Sequence, residues 1–186
     1  MAARKAKGSI YQLHVALKGV RPPIWRRILL PGNTKLSQLS EILLATMGWL
    51  GYHLHQFIVD GEYIGAPDPD YFDEMLDENK FTLQQIASSV GSKFIYEYDF
   101  GDGWEHTVKV EAILEPEEGR TYPVCIKGKR ACPPEDIGGV WGYAEFLETI
   151  SDPDNEEAEE MLEWVGDDFD PEEFNLDAIN QRLKSR

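Results

Sequence analysis

Phe94-Ile95-Tyr96-Glu97-Tyr98-Asp99-Phe100-Gly101-Asp102-Gly103-Trp104-Glu105-His106-Thr107-Val108-Lys109-Val110-Glu111-Ala112 carries the strongest strand signal in the chain. Phe94, Tyr96, Tyr98 and Phe100 share one parity. Beyond Gly101-Asp102-Gly103, Trp104, His106, Val108, Val110 and Ala112 share another. A period of two with aromatic and β-branched residues is the mark of a half-buried strand. Asp and Gly close such strands into a hairpin.

Similar alternation lies upstream. Tyr11, Leu13, Val15 and Leu17 alternate with Gln12, His14 and Lys18, which predicts a strand over 10–18. Residues 24–30 return after the Pro22-Pro23 turn. Leu36, Leu39, Ile42, Leu43 and Met47 have helical spacing, so a helix over 35–47 is expected, capped by Asn33 or Thr34 and stopped by Gly48. Short strands near 54–59 and 62–65 flank Asp60-Gly61, and Thr82 caps a short helix through Ala87. The acidic stretch 66–80 reads as a surface loop, and 115–140, with four prolines, as irregular. The C-terminal part is helical: three apolar stripes are interrupted at Asp152-Pro153 and Asp170-Pro171. Hairpins first and helices last give an α+β class, a mostly antiparallel or mixed sheet packed with helices. The opening order of hairpin, helix and hairpin is that of a β-grasp.

The 186 residues are 42% hydrophobic, so one domain can bury about 70% of its unfolded surface without a metal or disulfide. Residues 1–8 read as a basic disordered tail and 9–186 as a single domain. No apolar run approaches a membrane span, and the basic start has no apolar stretch behind it, so no membrane partner is expected. Two cysteines, Cys125 and Cys132, fit a reducing compartment and a cytoplasmic location.

Net charge is -16, unevenly spread. Residues 1–40 hold eight Lys or Arg and no acid, whereas 144–177 hold fifteen acids and no base. The overall field repels nucleic acid and anionic membrane, although the basic start can still touch a phosphate locally.

Several strings together resemble the plasmid pRiA4b ORF-3-like family: PPIWRR at 22–27, MGW at 47–49, HLHQF at 53–57, YEYDFGDGWEH at 96–106, CPPEDIGGVWGY at 132–143 and DFDPEEF at 168–174. Their order covers about residues 9–183. The resemblance implies carriage on plasmids and mobile elements, and it implies no particular reaction.

His53 and His55 form an H-x-H pair which, if extended, points to the side of Phe57 and Val59. His106 shares parity with the apolar positions of its own strand. Histidines on adjacent strands are a common way to hold zinc or iron. Asp99 and Asp102 flank the turn before His106, and Cys132, Glu135 and Asp136 lie in a loop able to fold over the same end. These residues with Trp104 form the candidate site, and His53, His55 and His106 are the candidate ligands. The alternative is that each histidine is a hydrogen-bonded core group and Asp102 serves its turn. Lys127, Lys129 and Arg130 form a basic patch able to contact a phosphate. Of Arg26 and Arg27, which point to opposite faces of a strand, one should be inward and paired with a carboxylate from the acidic helices.

There is no P-loop, G-x-G-x-x-G, G-x-S-x-G, H-E-x-x-H or basic helix-turn-helix. The leading expectation is a non-catalytic protein- or peptide-binding module with a groove lined by Trp25, Trp49, Trp104 and Trp141. One alternative is a metal-dependent, hydrolase-like enzyme using the His/Asp/Cys cluster. The other is an accessory factor in DNA transactions, although tight nucleic-acid binding by this chain alone is not expected.

Overall fold

A computed structural model describes residues 8–67, 75–152, 154–166 and 168–185. The expected tail, apart from Gly8, lies outside the described residues, as do 68–74 and Pro153. The strands are β1 (Ile10–Leu17), β2 (Trp25–Pro31), β3 (His55–Val59), β4 (Glu62–Gly65), β5 (Leu76–Asp77), β6 (Lys93–Tyr98), β7 (Trp104–Leu114) and β8 (Val124–Lys129). The helices are α1 (Leu36–Met47), α2 (Leu83–Ile86), α3 (Gly139–Ser151), α4 (Glu157–Val165) and α5 (Leu176–Lys184). A 3-10 turn spans Glu78–Lys80.

The eight strands form one mixed sheet in the order β5-β4-β3-β6-β7-β1-β2-β8. Every pairing is antiparallel except β4 with β5. The class is therefore α+β, as the hairpin pattern implies. The hairpin–helix–hairpin opening is present in chain order, with β6 and β7 standing between its two hairpins in space.

Parity decides which face is buried. Leu13, Val15 and Leu17 of β1, Ile28 and Leu30 of β2, Tyr96 and Tyr98 of β6, and Trp104, His106, Val108 and Val110 of β7 are all buried. They pack with Leu36, Leu39, Leu43 and Leu44 of α1 in one core. Ser40 of α1 shares a 2.8 Å hydrogen bond with the Tyr96 hydroxyl and ties helix to sheet. Helix α5 adds Ile179 and Leu183 to this core, and Asn180 grips both backbone groups of Cys125 on edge strand β8, at 2.8 and 2.9 Å.

The structure corrects several local expectations. The stretch 115–140 contains β8, whose Lys-Gly-Lys sequence lacks the apolar alternation that signals a strand. The supposed surface loop ends in β5 and in Glu78, which is buried. Helix α1 takes Lys35 as its N-cap residue, and the Thr34 hydroxyl instead donates to the Pro31 carbonyl at 2.6 Å.

Arg26 is the inward arginine, 2% exposed, and it pairs with no carboxylate among the described residues. It donates to the carbonyls of Thr46, Trp25 and Lys129 at 3.3, 2.9 and 2.9 Å. Arg182 donates to the Ala45 carbonyl at 3.0 Å. Two guanidiniums therefore satisfy orphan carbonyls of the last turn of α1 and sit at the negative end of its dipole. That replaces the expected acidic partner. The outward Arg27 is the one that binds a carboxylate, Glu111 of β7.

Candidate acid and histidine cluster

Three loop segments meet where β3 begins and the β6–β7 hairpin turns. The first, 48–54, leads from α1 into β3 and carries His53. The second, 99–103, is the hairpin turn and carries Asp99 and Asp102. The third, 132–138, precedes α3 and carries Glu135 and Asp136.

Specific bonds hold them together. Asp99 takes a left-handed backbone, φ 59°, which Asp tolerates better than most residues. Its Oδ1 accepts from the amides of Gly101 and Asp102 at 2.9 and 3.3 Å. Its own amide donates to the Leu54 carbonyl at 2.9 Å, joining turn to entry loop. Asp102 Oδ2 accepts from the Gly138 amide at 3.1 Å, joining turn to α3. Gly139 follows at φ 69°, with the backbone of Asp102 pressed where a Cβ would stand. The glycine pair thus lets the start of α3 approach the turn. Glu135 Oε1 accepts from the Leu50 amide at 2.8 Å, and the Tyr98 hydroxyl donates to both Glu135 oxygens at 3.2–3.3 Å. Burial, reinforced by Glu135, pushes the Tyr98 phenol up to about 12, so it stays a proton donor.

The result is an imidazole facing carboxylates. His53 Nε2 lies 3.0 Å from Asp136 Oδ1, 3.6 Å from Asp99 Oδ2 and 4.0 Å from Glu135 Oε2. This nitrogen is buried and makes no hydrogen bond: the Asp99 and Glu135 oxygens are out of range, and Asp136, at ion-pair distance, is not aligned for one. One donor atom each from His53, Asp99 and Asp136 falls within 4.8 Å of the others. Asp136 is the open side, 64% exposed, on a second left-handed backbone of φ 56°. Among the described residues, no lysine or arginine forms an ion pair with any of the three acids.

The other expected members stand elsewhere. The three histidines do not share a site. His55 Nε2 bonds Glu78 at 2.8 Å, a partner hidden in the acidic stretch without any apolar parity to flag it. His106 is fully buried, with Nδ1 3.1 Å from the Tyr96 carbonyl and its ring edge-on to Trp49 at 5.3 Å. Burial holds its pKa down at about 4, so it is neutral. Tyr96 makes ring contacts with both His55 and His106. The H-x-H parity argument fails for a local reason: His53 precedes β3 and follows a loop path.

Cys132 is not in the cluster. Burial pushes its thiol well above the ordinary value, and it lines a cleft of about 240 Å³ with Arg26 and Arg182. The four tryptophans do not line one groove. Trp49 and Trp104 are core residues, with Trp49 Nε1 donating to the Pro133 carbonyl at 3.0 Å. Trp25 lies on the opposite face of the sheet from Arg26, and Trp141 projects from α3, 87% exposed. Lys127 and Lys129 share that outer face with Trp25, whereas Arg130 is engaged by Glu172 at 2.7 Å.

The sequence pattern described as Plasmid pRiA4b ORF-3-like protein matches residues 9–178. The chain belongs to this family. A second member-like sequence is the uncharacterized protein y4hQ of Sinorhizobium fredii, 40% identical over 177 residues, which are 94% of this chain and 91% of the relative. The fold is similar to a crystal structure of the protein of unknown function MM3350 from Methanosarcina mazei Go1, with a TM-score of 0.81 and 40% identity. That match covers 91% of this chain and 97% of the other. Neither description attaches a reaction to the pRiA4b ORF-3-like fold, so the cluster must be read from its chemistry. Among the described residues, no helix is long and apolar enough to cross a membrane.

Proposed function

We propose that this chain binds a divalent cation through His53, Asp99 and Asp136, with Glu135 as a further oxygen donor, and that this site is its functional centre. The observation that supports it is His53 Nε2: a buried nitrogen without a hydrogen bond, facing three carboxylates. A neutral imidazole with carboxylates suits zinc, iron or manganese better than soft-metal chemistry. Such an ion would neutralise the crowded acids and give the His53 nitrogen a partner. With three donors, one of them the exposed Asp136, the site suits an ion that keeps a position for water or substrate, the arrangement of Lewis-acid hydrolysis. The reaction class supported is therefore metal-dependent hydrolysis.

Exposed apolar side chains stand on these segments and on the helix that follows them: Leu50, Tyr52 and Leu54 around His53, Phe100 beside Asp99, and Trp141 on α3. They would cover the apolar part of a ligand held at the ion. The same rim favours a second reading, a peptide-docking surface on which the ion is structural. Calorimetric titration of metal-free protein with zinc and manganese tests the shared premise. One equivalent bound, weakened at least tenfold by Asp99→Asn, is the expected result. No saturable binding, or full binding by Asp99→Asn, would remove the ion from both readings.

A further inference from the structure

The face of the sheet turned away from the core carries a line of basic residues. Strand register sets Lys93 of β6 opposite Lys109 of β7, Lys109 opposite His14 of β1, His14 opposite Arg27 of β2, and Arg27 opposite Lys127 of β8. Five neighbouring strands each place one basic residue in a single row, with no acid and no apolar residue among them. At about 4.8 Å per strand the row is about 19 Å long.

This arrangement is costly for the sheet. Like charges directly opposite one another are destabilising, and this chain has only 18 basic residues against 34 acidic ones. Acids on the same face flank the row: Glu111 stands two positions from Lys109 and is taken by Arg27, while Glu97, bonded to Gln56, and Glu105, paired with Lys18, stand four positions from Lys93 and Lys109. Lys93, Lys109 and Lys127 are exposed and form no ion pair among the described residues. Arg27 alone is paired, to Glu111 at 2.6 and 2.9 Å. Burial lowers the His14 pKa; Glu111 opposes that shift, and Arg27 and Lys109 add to it.

An aromatic platform adjoins the row. Trp25 is half-buried, stacked on His14 at 5.2 Å with 26° between planes, and lies 5.3 Å from the Arg27 guanidinium. Its cross-strand neighbour on β8 is exposed Lys129. Cations beside a sheet-borne aromatic are the elements from which single-strand platforms are built: phosphates follow the charges and a base stacks on the ring. Charge complementarity and Trp25 together favour an unpaired strand over a smooth anionic surface, which offers no base to stack. The net charge of -16 repels a polyanion at long range, so contact is short-ranged and salt-sensitive.

We propose that this outer face binds single-stranded nucleic acid, with Lys93, Lys109, Lys127 and Lys129 on its phosphates and Trp25 under a base. The test is fluorescence anisotropy of labelled dT and U 12-mers at about 20–200 mM salt, with chelator present so that a bound cation plays no part. The parent should bind with a log–log salt slope of about -2 to -3, the value for three or four phosphates on a single strand. Trp25→Ala should weaken binding about fivefold or more. Lys109→Ala with Lys127→Ala should reduce the slope by about 1.4. These side chains lie outside the core, and circular dichroism checks that each variant folds. Absence of binding at the lowest salt would overturn the proposal. So would binding indifferent to both variants, tighter binding of a duplex, or binding to phosphatidylserine vesicles alone.

Discussion

His53 and His106 invite comparison. Among the described residues, their Nε2 atoms are the buried side-chain nitrogens or oxygens left without a hydrogen bond. The surroundings differ in every other respect. His106 lies in a sheet row among Tyr96, Trp49 and the core, fully buried, with its other nitrogen on a carbonyl. His53 lies in a loop, 30% exposed, with three carboxylates around the free nitrogen. The same unsatisfied atom is a tolerated packing cost in one region and one member of a ligand set in the other. Burial and a missing hydrogen bond do not define a site. Convergent charge does.

The largest effect that would sharpen this contrast is on stability at His106. Replacing it with Ala empties part of a close-packed core and should cost about 2–4 kcal/mol by denaturant unfolding. Cation binding by the folded fraction should persist. Loss of binding without loss of stability would break the comparison.

Acid sensitivity comes next. His106 has a folded pKa of about 4 against an ordinary 6.5, so the unfolded chain takes up the proton first as pH falls. Its contribution is complete above about pH 6.5 and is lost progressively toward pH 4, about 3 kcal/mol in all. Unfolding of the parent should show that loss, and His106→Leu should flatten it. An equally steep profile in the variant would mean that other groups drive it.

His53 should behave differently. In metal-free protein His53→Ala should change stability by no more than about 1 kcal/mol, since the side chain is partly exposed and sits in a loop outside the core. A cost near that of His106→Ala would make it a second core residue.

The smallest effect belongs to a polar group whose bonds are all made. Glu111 accepts from Arg27 and Gln12, and Arg27 first of all holds its carboxyl down at about 2. That contribution is present above about pH 4.5 and lost as pH falls toward 2. Arg27→Ala should cost about 1 kcal/mol or less at neutral pH and return the Glu111 titration, followed by NMR, toward the ordinary range. A titration that stays near 2 would separate Glu111 from Arg27.

Much of the fold was legible because parity and turn residues act locally. Tyr96, Tyr98, Trp104 and Val108 announce their strands, and Gly48 ends α1 as its left-handed backbone requires. Strand β8 was hidden, since Val124–Lys129 is held by its neighbour β2 and by Asn180 rather than by its own pattern. The site was legible as a set of residue types. His53, Asp99, Glu135 and Asp136 were all candidates, but which of them meet depended on loop paths that periodicity cannot describe. His55 was drawn away by Glu78, and His106 by the core. Arg26 shows the same limit: its inward parity was readable, whereas its carbonyl partners at the end of α1 come from tertiary packing.

The central claim is most directly tested by metal analysis of untagged protein purified without chelator, beside His53→Ala and Asp99→Asn. Near-stoichiometric zinc, iron or manganese in the parent, lost in both folded variants, is the predicted result. A parent without metal that also takes up none on addition, or equal metal in all three proteins, would contradict it.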